Sequence, residues 1–218
     1  MINFIRKFDK IIVKSIEITG AKNITKTEIK ELLPFKIGDN LLKINLSEAE
    51  CEIKKLKPEL KNIVISRCWQ KVKIKLCERI PEAFIMHENR VFATDFDGTL
   101  FPIRGFMGTM KVPILLYKSN SEMKELLDFI KRFKAVCDNF IENIHEIKIN
   151  NAGDIIFIIN NENIVVFWGN ESPEYLCDKF KKFKKIYKDA LSKYEHLEYI
   201  DMTLYSSGRA AVKPIKYD

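Results

Sequence analysis

The chain has 218 residues, 46% of them hydrophobic and 31% charged. That is enough apolar material for one large domain or two modest ones, and it excludes wholesale disorder. Lys and Arg number 37 against 30 Asp and Glu, a net charge of +7; this excludes an acidic solvating protein, is mild for a dedicated nucleic-acid binder, and suits a chain working beside anionic lipid or polymer.

No stretch approaches the ~18 consecutive apolar residues of a membrane span, and no signal peptide is visible. Residues 1–11 hold Arg6, Lys7 and Lys10 and no apolar run. Val13, Ile16 and Ile18 predict a half-buried strand that stops at Gly20. Thr25 with Glu28 reads as a capping box that opens a short helix ended by Pro34. A loop follows, with Leu41, Leu42 and Ile44 tucked under the fold. Ser47 with Glu50 reads as a second capping box, for a helix running to about Leu56. Two β runs come next, split by little more than Gln70. The second sets Val72, Ile74 and Leu76 against Lys71, Lys73 and Lys75, one buried face and one wet. The first domain is therefore β-α-α-β-β over residues 12–81.

Residues 82–218 form the second domain. AFIMH and RVFAT are predicted antiparallel strands, Asp97-Gly98 a tight turn and Val112–Tyr117 a strand. Ser119 with Glu122 opens a helix whose apolar stripe includes Met123, Leu126, Ile130 and Phe133. Two β-branched runs joined at Asn160–Asn163 predict a hairpin. Ser172-Pro173 predicts the start of the last helix, with Leu176, Phe180, Phe183, Tyr187 and Leu191 inward. Its opposite face, Lys179, Lys181, Lys182, Lys185 and Lys188, is expected to be solvated rather than a nucleic-acid patch. A final strand pair flanks Ser206-Ser207-Gly208.

Five cysteines (51, 68, 77, 137 and 177) form no Cys-x-x-Cys pair, and the three histidines are scattered. No zinc or redox centre is expected; the thiols are read as free and mostly buried. Three Asn-x-Ser/Thr triplets coincide with predicted helix starts, and capping accounts for them.

Asp95-Phe96-Asp97-Gly98-Thr99-Leu100 matches the nucleophile motif of haloacid-dehalogenase-like magnesium phosphatases. That chemistry also needs a downstream acidic pair for the metal, and none is apparent. Nor is βαβ alternation apparent after the motif. A β-hairpin turn is the favoured reading, with phosphatase activity the weakest alternative.

VKSIEITGAKNIT, IGDNLLKIN and ISRCWQKVKIKLCERIPEAFI resemble the opening strand, loop and strand pair of the POTRA domain in the FtsQ/DivIB family of bacterial cell-division proteins. NIVVFWGN and LEYIDMTLYSSGRAAVK resemble the later strands of that family's second domain. The resemblance implies an α+β fold, a POTRA domain followed by a mixed antiparallel β domain with two covering helices. It implies a non-enzymatic divisome scaffold with no cofactor and no metal. Its site on the extracytoplasmic side of the inner membrane, at the septum, implies an anchor lying upstream of Met1. FtsB- and FtsL-like partners are implied at the C-terminal edge, other divisome proteins at the POTRA domain, and no nucleic acid. Tyr205 would be an aromatic anchor, Ser207 and Gly208 a turn, and Arg209, Ala210, Ala211, Val212 and Lys213 the edge for strand addition. Glu78, Arg79 and Pro81 would set the domain junction. Another POTRA-bearing secretion or assembly adaptor is the second reading.

Overall fold

The computed structural model describes residues 11–105, 109–159, 163–170 and 173–215. These fall into two compact units. The first takes the chain up to Ile80 and a returning segment that begins at Leu100; the second takes Pro81–Thr99 and the chain from Thr109 onward. The basic residues at positions 6, 7 and 10 lie outside the described residues.

In the first unit β1 (Ser15–Thr19) is followed by α1 (Lys26–Glu31), α2 (Leu46–Leu56), β2 (Leu60–Cys68) and β3 (Lys71–Glu78). The sheet order is β1-β3-β2, with β1 parallel and β2 antiparallel to the central β3. Along β3, Val72, Ile74 and Leu76 are buried and the alternate lysines exposed. The buried face packs on Ile29 of α1 and on Ala49 and Ile53 of α2. Gly20 ends β1 at φ +84°, and a Cβ there would stand 2.1 Å from the Leu76 carbonyl oxygen. Only glycine meets both demands.

Thr25 caps α1 as a full capping box with Glu28. The cap of α2 is not Ser47, as the sequence suggests, but Asn45, whose side chain accepts from Glu48 N. Ser47 lies inside the helix, and Glu50 is spent elsewhere, accepting from Ile65 N on β2 at 2.5 Å. The β2–β3 turn has only Trp69 and Gln70 between the paired residues Cys68 and Lys71. Trp69 sits at φ +57° and is 87% exposed, in a position that hairpins usually give to Gly, Asn or Asp.

The expectation of mostly buried thiols is corrected. Cys51, Cys68, Cys77 and Cys177 are exposed and only Cys137 is buried; none of the five forms a disulfide. Cys77 shows the reason, since it occupies the outward phase of β3 that the lysines mark.

Glu28 accepts from its own cap and also receives Lys57 Nζ at 3.1 Å and Arg104 Nη1 at 2.6 Å. The Thr25 backbone N–H, then Lys57 and Arg104, bring its pKa from 4.5 down to about 2. A folded-state pKa below the unfolded one favours folding at pH values above the unfolded pKa, and the benefit is lost as pH falls through the folded one. Its contribution is therefore complete above pH 4.5 and fades toward pH 2. Urea titrations at neutral and acid pH should show a smaller acid loss of stability in Glu28→Gln than in the parent; equal losses would rule this out.

The second unit carries β4 (Ala83–His87) and β5 (Arg90–Thr94). The short β6 (Leu100–Pro102) belongs to the returning segment. Then come β7 (Ile114–Leu116), α3 (Asn120–Val136), β8 (Ile144–Ile149), β9 (Ile155–Ile159), β10 (Ile164–Gly169), α4 (Leu176–Lys193), β11 (Leu197–Asp201) and β12 (Ala211–Pro214). Its strands lie in the order β12-β11-β10-β9-β8-β7-β4-β5. Most pairs are antiparallel, but β4–β7, β7–β8 and β10–β11 are parallel. The sheet is mixed and the fold α+β.

Two of the parallel pairs are βαβ crossovers, β7-α3-β8 and β10-α4-β11. The sequence reading that no such alternation follows Thr99 is corrected. The apolar run at Val112–Tyr117 marks a strand and the stripe after it a helix, but neither pattern reports that β7 pairs parallel with β8. The helices supply an aromatic core in which Phe133, fully buried, has ring centroids 5.3 Å from Phe180, 5.6 Å from Trp168 and 6.0 Å from Phe157.

Ser119 caps α3, accepting from Glu122 N, while Glu122 reaches back to Lys118 N. For α4 a 3-10 turn over Pro173–Tyr175 precedes the helix, and the cap position is Tyr175, with no side-chain bond. Ser172 and the link over residues 160–162 lie outside the described residues. The lysine face of α4 is not wholly solvated either. Lys179 is 1% exposed, and its ammonium donates to the Trp168 carbonyl oxygen at 2.5 Å.

Candidate partner-binding edge

β12 lies at one end of the sheet order and pairs with β11 alone among the described strands. The register sets Asp201 opposite Ala211, Ile200 opposite Val212, and Tyr199 opposite Lys213. Residues directly opposite share a face. Val212 therefore shares the side of the fully buried Ile200, while Ala211 and Lys213 point the other way and are exposed. Lys213 Nζ pairs with Glu198 at 2.7 Å and lies 5.7 Å from the centroid of the Tyr199 ring. Along the open side of a terminal strand, alternate residues aim their N–H and C=O groups at solvent. Pro214 has no N–H to offer and limits the usable length.

The approach to β12 is built by a short turn. Tyr205–Ser207 make one 3-10 turn, closed by Gly208 at φ +76°. Gly208 N donates to Tyr205 O at 2.8 Å, and Ser207 Oγ donates to Leu204 O at 2.8 Å. The sequence places Tyr205 on a strand; instead it is half-buried in this turn. Asp201 ends β11 by accepting from both N and Oγ1 of Thr203, which turns the chain early.

Two lysines of α4 hold the turn. Lys182 Nζ donates to Gly208 O at 3.2 Å and lies 5.2 Å from the Tyr205 ring centroid, with Lys179 Nζ at 5.6 Å. Cation–π contacts of this kind fix a ring's position. These lysines were missed as site residues because a regular Lys periodicity reads as a solvated face. Beside the turn lies an open cavity of about 440 Å³ lined by Tyr175, Lys182, Tyr205, Ser206 and Gly208. Arg209 and Ala210 are exposed just ahead of β12.

Of the junction residues, Glu78 and Arg79 bond within the first unit. Burial pushes the Glu78 pKa up, but the backbone N–H groups of Lys22, Asn23 and Ile24 and the Asn23 amide outweigh it and hold it below 4.5. Arg79 N donates to Glu59 O at 2.8 Å and Arg79 Nε to Pro58 O at 3.1 Å. Pro81 begins the second unit.

In the phosphatase-like motif, Asp95 is 6% exposed and its Oδ1 accepts from Asp97 N and Thr99 N. Gly98, at φ +74°, closes the turn onto Asp95 O. The carboxylate thus organises its own turn. Among the described residues no group of three or more His, Cys, Asp or Glu is placed to hold a metal ion.

The architecture defines a POTRA-bearing chain. Residues 12–79 match the FtsQ-type POTRA domain, and residues 80–206 match the model for FtsQ/DivIB, C-terminal related. The chain belongs to the FtsQ/DivIB family of cell-division proteins. The second match stops inside the Tyr205–Ser207 turn, so β12 lies beyond it. The chain is similar to the cell division protein FtsQ of Koribacter versatilis, 22% identical over 86% of this chain and 56% of the relative. It therefore spans little more than half the length of that relative. It is also similar to FtsQ of a Geobacter species, 22% identical over 92% of this chain and 76% of the relative, and to FtsQ of Corynebacterium glutamicum, 24% over 75% and 73%. No helix of the described residues is long and apolar enough to cross a membrane.

Proposed function

We propose that the chain is a non-enzymatic divisome scaffold that captures an FtsB-like partner, and through it an FtsL-like one, by strand addition along β12. The observation that carries this reading is the position of β12 at the end of the sheet, with no second neighbour among the described strands. A partner strand laid there gains main-chain hydrogen bonds, and the exposed Ala210 and Ala211 allow close approach. Arg209 and Lys213 give the edge a charge that discourages indiscriminate pairing. The cavity against Tyr205 offers an aromatic wall at the edge's start. Other divisome proteins dock on the POTRA domain. An anchor upstream of this chain holds it on the extracytoplasmic side of the inner membrane at the septum.

Tyr205→Asp tests the assignment. The new carboxylate meets Lys179 and Lys182, so the turn persists while the aromatic wall is lost. Pull-down of an FtsB-like partner should fall by on the order of tenfold or more with an unchanged circular dichroism spectrum. Undiminished capture removes Tyr205 from the interface.

A further inference from the structure

The end of the first unit where the chain enters carries an unusual set of exposed apolar side chains. β1 runs parallel to β3 with Ser15 opposite Lys71, so the Trp69–Gln70 turn stands at the entry end of β1. Lys14 N donates to Gln70 O at 2.7 Å. On the other side of the entering chain Val13 N donates to Asp39 O and Leu41 N to Ile11 O, which brings the loop around Ile37 and Leu42 to the same end. Arg67 ties that loop to β2, donating to Leu41 O and Ile44 O. Trp69 is 87% exposed, Ile37 62%, Leu42 52% and Ile12 38%.

Isolated exposed apolar residues need no explanation, but four gathered at one end do. The backbone adds a second observation. Trp69 holds φ +57°, which disfavours a bulky side chain and which Asn or Gly would hold more easily. Strain kept at a fully exposed tip points to a use outside the fold. Charge indicates the partner. Lys14, Lys36 and Lys43 are exposed around the apolar group. Of the carboxylates nearby, Asp39 accepts from its own loop at Lys36 N and Glu17 pairs with Lys71, while Glu48 and Glu52 lie on α2 beside Lys43.

We propose that this end is a membrane foot: Trp69 enters the headgroup region of an anionic bilayer, Ile37 and Leu42 rest on it, and the three lysines meet lipid phosphates. Indole rings favour that boundary, and lysine stems reach along apolar surface to keep their charge at the phosphate level. This goes beyond the partner edge and depends on the first unit alone.

The two tryptophans make the test direct, because Trp168 is buried at 3% exposure and Trp69 is not. Mixing the full chain with phosphatidylethanolamine–phosphatidylglycerol vesicles should blue-shift the emission of Trp69 and expose it to quenching by brominated lipid. Vesicles of phosphatidylcholine alone should shift it far less. Trp69→Ala should abolish the shift and weaken co-sedimentation by on the order of tenfold, the scale for withdrawing one large apolar side chain. Trp69→Asn, which suits the positive φ, should do the same with the fold intact. Lys14→Glu with Lys43→Glu should weaken binding by a similar factor at low salt. An emission maximum unmoved by anionic vesicles, or co-sedimentation equal in the parent and both Trp69 variants, overturns the proposal.

Discussion

Arg104→Ala should lower the stability of the first unit by about 3 kcal/mol, the low end for breaking a buried ion pair. Glu59 is 1% exposed, and neither carboxylate oxygen makes a hydrogen bond among the described residues. Arg104 Nε stands 3.0 Å from Glu59 Oε1, off line for a hydrogen bond, so the attraction is coulombic. The same guanidinium reaches Glu28 through Nη1 at 2.6 Å. Removing it leaves one carboxylate buried and uncompensated. The low end applies because the Arg104 side chain keeps 34% exposure and Glu28 retains Lys57. Pairing Arg104→Ala with Glu59→Leu should restore most of the loss, since the second change removes the stranded charge. Urea denaturation measures the total, and hydrogen exchange across β1, β2 and β3 assigns it to this unit. A loss under about 1 kcal/mol, the scale of a surface pair, would sink the argument.

Deleting the chain after Gly208 should weaken capture of an FtsB-like partner by at least about a hundredfold, because several main-chain hydrogen bonds of about 1 kcal/mol each vanish together. The turn survives the cut: Lys182 still finds Gly208 O, and Tyr205 keeps its lysines. The buried residues of β11, Leu197 and Ile200, also pack on the interior side rather than through β12 alone. Binding measured by surface capture, with far-UV dichroism as the fold check, decides the matter. Retained affinity in a folded, truncated chain would move the partner site away from β12.

Much of the fold is written in local pattern. The Val72-Ile74-Leu76 alternation finds β3 and its buried face, and the stripe from Met123 to Phe133 finds α3. Thr25–Glu28 and Ser119–Glu122 locate two helix starts. The Ser47 signal misled because Asn45, two residues earlier, offers the same acceptor at the true start of α2. At the edge, the run from Arg209 to Lys213 is legible as a strand signal. The bounds of the last two strands are not, because Asp201 captures Thr203 and ends β11 before Tyr205, and β12 begins only at Ala211.

The sequence by itself determined the spacing of turns, the inward phase of each strand and helix, and the motifs that place the chain in its family. All depend on residues within a few positions of one another. The tertiary structure alone decided which charges are buried. Arg104 meets Glu28 across 76 positions, and Lys179 lies buried where Trp168 and Tyr205 converge on it from other elements. It also decided that β12 is the last strand of its sheet and that Trp69 shares one end with Ile37 and Leu42. Periodicity reports which face of an element is apolar, whereas burial of a charge and exposure of an edge depend on what the rest of the chain brings beside it.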